Sequence, residues 1–319
     1  MKSIPVTEDI YMKKELHRLQ ANYDGLPLEV MTVIPDNSPR AVLVIHHGMC
    51  EHKERYLWFM QQMAETGYAC VIADMRGHGA SVYSEDDLGY FNKTDTKGVV
   101  LDLHQVVYFA KDMFPGLPLV LMGHSMGSLV VRAYIKAHDF DLAAVILCGA
   151  PCKNMASKFG YLMTRIMGLG AGSHRRSRIM YQMAMGGYDK AFKKERKQNA
   201  WLSVDKQNCN QFETDPLCGV PFTIDGYRTL TGLLSEVFDK KGWETTDPQL
   251  PILLIGGSDD PVMGGVKGFR HTVHFLRGCG YTNVRGKLYA GYRHEILNDT
   301  CKEQVIRDLK IWLKHNVSQ

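Results

Sequence analysis

The sequence predicts an α/β protein: a mostly parallel sheet, helices on both of its faces, and a helical cap inserted between two strands. Three observations carry this reading. Short apolar runs alternate with longer amphipathic stretches. The runs are rich in Val, Ile and Leu at successive positions, as strands covered on both sides require. The alternation stops near residue 152 and resumes near 247, so residues 1–151 and 247–319 are read as the core and 152–246 as the cap.

The elements follow in order. AVLVIHHG (41–48) reads as a strand, and ERYLWFMQQMAETG (54–67) as a helix closed by glycine. YACVIADMRG (68–77) is again a strand, and TKGVVLDLHQVVYFAKDMF (96–114) has helical spacing. PLVLMG (118–123), SMGSLVVRAYIKAH (125–138) and LAAVILCGAP (142–151) read as strand, helix and strand. After the break come a strand in PILLIGGSDD (251–260), a helix near 265–277, the segment KLYAGYRH (287–294) and a closing helix over 295–316.

Composition narrows the function classes. The 319 residues are 45% hydrophobic and 23% charged, ordinary for a globular chain with a sizeable core. A net charge of +4 is no argument for nucleic-acid binding. The charge is uneven, however: residues 153–206 hold 12 Lys+Arg against 3 Asp+Glu. The N-terminal MKSIPVTEDIYMKKELHRL has no apolar segment of the signal-peptide kind. No stretch approaches the roughly 20 apolar residues of a membrane span. The eight cysteines are scattered with no CxxC pair, and reduced thiols in a cytoplasmic protein are expected.

The stretch LVLMGHSMGSLVV (119–131) sets Ser125 between Gly123 and Gly127 at a strand-to-helix turn. In open parallel sheets, functional residues gather at the carboxyl ends of strands. So sharp a turn strains the serine backbone and crowds strand against helix, which leaves no room for Cβ atoms at the two glycines. G-H-S-M-G fits the nucleophile elbow G-x-S-x-G. A serine hydroxyl needs a base and a carboxylate that orients the base, in the chain order Ser, acid, His. GGSDDPV (256–262) offers Asp260, preferred over its neighbour Asp259 because it precedes Pro261 and lies at a G-x-x-D-x-V spacing. His294 follows the last strand segment, whereas His271, His274 and His315 fall in helical stretches. An oxyanion needs two N–H donors. The backbone amides of Met126, after the serine, and Met49, in HHGMCEH (46–52), are the candidates. A metal cluster of His46, His47, Glu51 and His52 is the competing reading of that loop. Adjacent strand histidines point to opposite faces, so no metal is expected there, and His47 is expected to brace the loop.

These motifs resemble one family. HHGMCEHKERY is similar to the HG-x-x-EH-x-x-RY loop of the monoacylglycerol lipase and lysophospholipase branch of the α/β-hydrolases. DMRGHGAS (74–81), GHSMGS, SDDPV, YRHEILND, NAWLSVD (199–205) and TDPLCGVPFT (214–223) resemble further segments of that branch. The resemblance implies an α/β-hydrolase fold, Ser125 as nucleophile, Asp260 as orienting acid, His294 as base, and Met49 and Met126 as oxyanion donors. It implies no cofactor. Ser128 departs from the glycine that often follows GHSMG. The branch also resembles serine aminopeptidases, so the cap bears on the substrate.

Six methionines lie between 155 and 185, joined by Phe159, Tyr161, Leu162, Ile166, Ile179 and Tyr181. Flexible methionines suit an adaptable acyl pocket, or equally the cap's own core. Met155, Phe159, Met163, Met180 and Met183 are the candidate substrate contacts. HRRSR (174–178) and KAFKKERK (190–197) would attract an anionic membrane surface or simply form a solvated face. The expected reaction is hydrolysis of a carboxylic ester with a hydrophobic acyl group, the expected partner a small-molecule ester or lipid, with no nucleic acid. The alternative is a serine aminopeptidase or amidase, which needs an acidic recess for a substrate amine; Asp205, Glu213, Asp215, Asp225 and Glu236 are available. A non-enzymatic receptor or scaffold would commonly lack one of the three catalytic side chains.

Overall fold

The computed structural model describes residues 12–154, 156–195 and 199–317. Among them the strands form one eight-stranded sheet: β1 (Lys13–Gln20), β2 (Pro27–Ile34), β3 (Ala41–His46), β4 (Tyr68–Ala73), β5 (Leu119–His124), β6 (Ala144–Cys148), β7 (Ile252–Gly257) and β8 (Val284–Tyr289). Their order is β1-β2-β4-β3-β5-β6-β7-β8. From β4 to β8 every pair is parallel. β3 and β5–β7 are buried almost throughout, which explains their unbroken apolar runs.

The antiparallel edge of β1 and β2 is an addition to the sequence reading. β1, KKELHRLQ, alternates exposed and half-buried residues, and its charges suit an edge strand. β8 ends at Tyr289, so His294 follows the last strand as expected, whereas the closing helix α9 (Lys302–Asn316) begins seven residues late.

Helices α1 (Leu57–Ala64) and α9 pack on one face of the sheet with Met31, Leu43, Ile146 and Ile255. The helices α2 (Asp95–Met113), α3 (Met126–Ile135) and α8 (Gly265–Arg277) contribute to the core on the other. Between β6 and β7 lie α4 (Ser157–Met167), α5 (Arg178–Met185), α6 (Lys206–Thr214) and α7 (Ile224–Glu236), with 3-10 turns among them. Asp225 at the start of α7 accepts the amides of Phe91 and Lys93 at 3.1 and 3.0 Å, and Tyr161 on α4 donates to Asp95 at 2.8 Å. The inserted segment is therefore pinned to the loop that precedes α2.

Candidate active site

Ser125 stands at the end of β5 as the residue that caps α3, with φ 50° and ψ −120°. Its amide donates to Cys148 O at 2.9 Å, which holds the strained backbone in place. The flanking glycines are obligatory. A Cβ on Gly127 would lie 2.2 Å from His46 O, and one on Gly123 2.6 Å from Gly127 O. The tight packing of α3 on β3 and β5 is what brings the serine to the rim.

Asp260 and His294 come from the loops after β7 and β8. Asp260 is fully buried, and one carboxylate oxygen accepts the Val262 amide at 2.8 Å. The other lies 2.8 Å from His294 Nδ1. Asp259, by contrast, is exposed and accepts from the Ser258 hydroxyl. Because Nδ1–H faces the carboxylate, His294 Nε2 is the nitrogen left over. It is buried and has no hydrogen-bond partner among the described residues. Ser125 and His294 line the same cavity, of about 380 Å³. Catalytic hydrogen bonds of this kind commonly close only when substrate is present. Gly149 contributes a feature the sequence reading missed. It has φ 56°, and a Cβ there would come within 3.0 Å of the His294 ring.

The loop after β3 lies against the same cavity. The amides on either side of Met49 are both engaged: Gly48 N donates to Glu51 Oε1 at 2.6 Å and Cys50 N to His78 Nε2 at 3.2 Å. Met126 occupies the first position of α3, where a helix has no acceptor of its own for the N–H. Both methionines line the cavity beside Ser125. His47 braces the loop as expected, accepting the Met75 amide at 2.7 Å and reaching Gly48 O at 2.7 Å.

Around the loop of Met49 lies a buried charge network whose members Glu51, Arg55 and Tyr56 stand in the HG-x-x-EH-x-x-RY motif, although the sequence does not show their partners. Glu51 receives Gly48 N, Tyr56 OH at 2.9 Å, His124 Nδ1 at 3.1 Å and Arg55 at 3.0 Å. Burial opposes its ionisation, but His124 and the Arg55 guanidinium hold the carboxyl well below its usual range. His124 also faces His294 O at 3.4 Å through Nε2. Both its nitrogens thus meet acceptors, and its pKa is raised against the effect of burial by the Glu51 carboxylate. Arg55 forms two bonds to Glu295, of 2.7 and 2.8 Å, and a third to Asn208 on α6. Arg293 reaches Ala200 O at 2.6 Å and pairs with Glu195. His294 therefore sits between two residues fastened to the inserted segment. Three neighbouring histidines are held neutral: burial pushes His46 and His78 down to about 3 and His47 to about 4.

The cavity walls correct part of the substrate reading. Met180 and Met183 line it, together with Tyr188, Trp201, Leu230 and Leu234. Phe159 and Met163 do not, and Phe159 is 58% exposed. The reason is the phase of α4: its buried face is Ser157, Gly160 and Thr164, so Phe159, Leu162 and Ile166 turn outward and Met163 is only half-buried. Met155 lies outside the described residues. Of the acidic residues named for an amine recess, Asp205, Glu213, Asp215, Asp225 and Glu236, none lines the cavity. Among the described residues the eight cysteines form no disulfide, and no helix is long and apolar enough to cross a membrane.

Comparison with known proteins places this geometry. The monoacylglycerol lipase of Mycolicibacterium smegmatis is 26% identical over 88% of this chain and 90% of its own length. The Homo sapiens monoglyceride lipase is 24% identical over 93% of this chain and 90% of its own. The crystal structure of a thermostable carboxyl esterase from Bacillus coagulans superposes with a TM-score of 0.90 at 23% identity, covering 97% of this chain and 100% of that one. The fold is that of the α/β-hydrolases. The Hydrolase_4 model, described as serine aminopeptidase, S33, matches residues 37–301, and the chain belongs to that family.

Proposed function

We propose that this protein is a serine hydrolase of carboxylic esters with a hydrophobic acyl group, of the monoacylglycerol or lysophospholipid class, working through an acyl-enzyme. The observation that carries the reading is the arrangement of Ser125, at a strained strand-to-helix turn, and the Asp260–His294 pair around one largely apolar cavity. Relatives named monoacylglycerol lipase and phospholipase support the substrate class.

In the proposed reaction Ser125 Oγ attacks the ester carbonyl while His294 Nε2 takes its proton. Asp260 keeps the other ring nitrogen protonated and steadies the imidazolium. The amides of Met49 and Met126 hold the oxyanion. The imidazolium then gives its proton to the departing alcohol. Water, deprotonated by the same nitrogen, attacks the acyl-serine and releases the acid. No cofactor enters the scheme.

Residues 152–246 act as the cap over this site, with Met180 and Met183 against the acyl chain. Its outer surface serves as the membrane-contact face. Phe159, Leu162, Ile166, Leu169 and Ile179 are exposed on this segment, which also carries exposed Arg175, Arg176 and Arg178. Apolar side chains with a basic border fit an anionic lipid surface. The free cysteines suit a reducing compartment, the cytoplasm. An aminopeptidase reading lacks a recess for the substrate amine, since the acidic residues at the cavity, Glu51 and Glu295, are already paired with Arg55.

The test is direct. A fluorophosphonate probe should label Ser125, and monoacylglycerol should be hydrolysed faster than an aminoacyl amide. Labelling elsewhere, or preference for the amide, would overturn the proposal.

A further inference from the structure

The loop that carries Met49 has a second side. Residues 48–51 line the cavity around Ser125, whereas His52 and Glu54 line a separate cavity of about 480 Å³, shared with Asp215 and Asn208. There His52 Nε2 lies 2.9 Å from Asp215 Oδ2, and His52 Nδ1 lies 2.7 Å from Glu54 Oε2. Both ring nitrogens face carboxylates, so a proton on each satisfies the pair. Cys218 completes the group: the His52 nitrogen, the Asp215 oxygen and the Cys218 sulfur all lie within 4.8 Å of one another.

The segment Asp215–Cys218 is shaped to present its two side chains together. Leu217 N donates to Asp215 Oδ1 at 2.9 Å, and Cys218 N donates to Asp215 O at 3.0 Å. This tight turn leaves Asp215 Oδ2 and the thiol on the side of His52. Gly219 N, bonded to Cys50 O at 2.9 Å, fastens the turn to the loop.

We propose that His52, Asp215 and Cys218 form a binding site for a divalent cation of the zinc class, with solvent from the cavity as fourth ligand. One nitrogen, one oxygen and one sulfur ligand suit zinc, and four-coordinate zinc tolerates this mixture. Glu54 supplies what metal-bound histidines usually have, a carboxylate on the opposite ring nitrogen that fixes the tautomer. Zinc bond lengths of about 2.0–2.3 Å put neighbouring ligands roughly 3.3–3.8 Å apart. The Cys218 sulfur thus has at most about an ångström to close, while Asp215 Oδ2, 2.9 Å from the His52 nitrogen, moves back by a few tenths of an ångström to admit the ion. The nearby cations are committed elsewhere: Arg55 to Glu51 and Glu295, Lys53 to Asp74 and Glu54. Binding exchanges the ion for two protons, one from the His52 imidazolium and one from the Cys218 thiol. The cluster His46, His47, Glu51 and His52 is a different group, since His47 is spent on Met75 and Gly48 and Glu51 on Arg55 and His124.

The experiment uses the full chain, stripped by a chelator and titrated with Co²⁺. The expected result is one ion per chain with a thiolate-to-cobalt charge-transfer band, displaced by Zn²⁺. Cys218→Ser should abolish the band and Cys50→Ser should leave it. Glu54→Gln should weaken Co²⁺ binding about 10–100-fold. Asp215→Asn, at a half-exposed position, should also weaken binding and serves if Cys218→Ser does not fold. No thiolate band in the unsubstituted protein, or a band that survives His52→Gln and Asp215→Asn, would overturn the proposal. None of these readings depends on ester hydrolysis, so the site stands or falls separately from the proposed activity.

Discussion

At the rim of the sheet, Glu51 alone takes hydrogen bonds from a loop amide, a tyrosine, a histidine and an arginine, all in a buried environment. On the inserted segment, Ile166 and Leu169 are 57% and 75% exposed. The first region gains order from polar groups that have nowhere else to go. The second leaves apolar side chains where a compact fold would hide them. Precision of a few tenths of an ångström matters where a proton is to be transferred, and the rim is built for it. Methionine is the adaptable side chain, and Met180 and Met183 of the inserted segment stand in the cavity wall.

The contrast can be broken by substitution, most severely at the rim. Ser125→Ala should lower ester turnover roughly 10⁴–10⁶-fold with the far-ultraviolet circular dichroism unchanged. Asp260→Asn should cost roughly 10⁴-fold, since the histidine then loses its orienting charge. Asp259→Asn should leave turnover unaltered; equal losses at both positions would remove the distinction between the two carboxylates. Arg55→Ala leaves the Glu51 and Glu295 carboxylates buried without their partner, and denaturant unfolding should show a loss of about 3–5 kcal/mol.

A smaller effect concerns pH. His46, His47 and His78 have folded pKa values of about 3 to 4, below the ordinary 6.5. The unfolded chain takes up their protons first. Their contribution to stability is complete above pH 6.5 and is lost as the pH falls towards about 3. His46→Asn should reduce the slope of unfolding free energy in that window by up to about 1.4 kcal/mol per pH unit. Smallest of all, Ile166→Ser should change stability by less than about 0.5 kcal/mol. It should also spare turnover of a short soluble ester while reducing adsorption to anionic vesicles. An undiminished adsorption would separate the exposed face from any membrane role.

What the sequence made legible follows the same division. The elbow at Ser125 is local: five residues, a strand before and a helix after. Asp260 and His294 each follow a strand, and chain order pairs them. The clamp from Arg55 to Glu295 spans 240 residues, and no window of sequence shows it. Gly149 escaped notice because its reason is the ring packed against it, not its neighbours in the chain. The edge strand β1 was hidden by its charges. Phe159 and Met163 are pocket candidates by composition alone, and a run of methionines and aromatics does not say which face of the helix each occupies. The buried face of α4 is instead built from small residues that fit close to α7.

Arg293, His294 and Glu295 are consecutive, and the outer two reach Glu195 and Asn208 across the boundary between the layers. A chimera that exchanged the inserted segment for a relative's would leave Glu295 its Arg55 partner but would strand the Arg293 guanidinium beside the imidazole. Transplantation succeeds only if the donor brings its own acceptors for that arginine. The inserted segment and the histidine loop thus form one mechanical unit, and a change in either is felt at the imidazole.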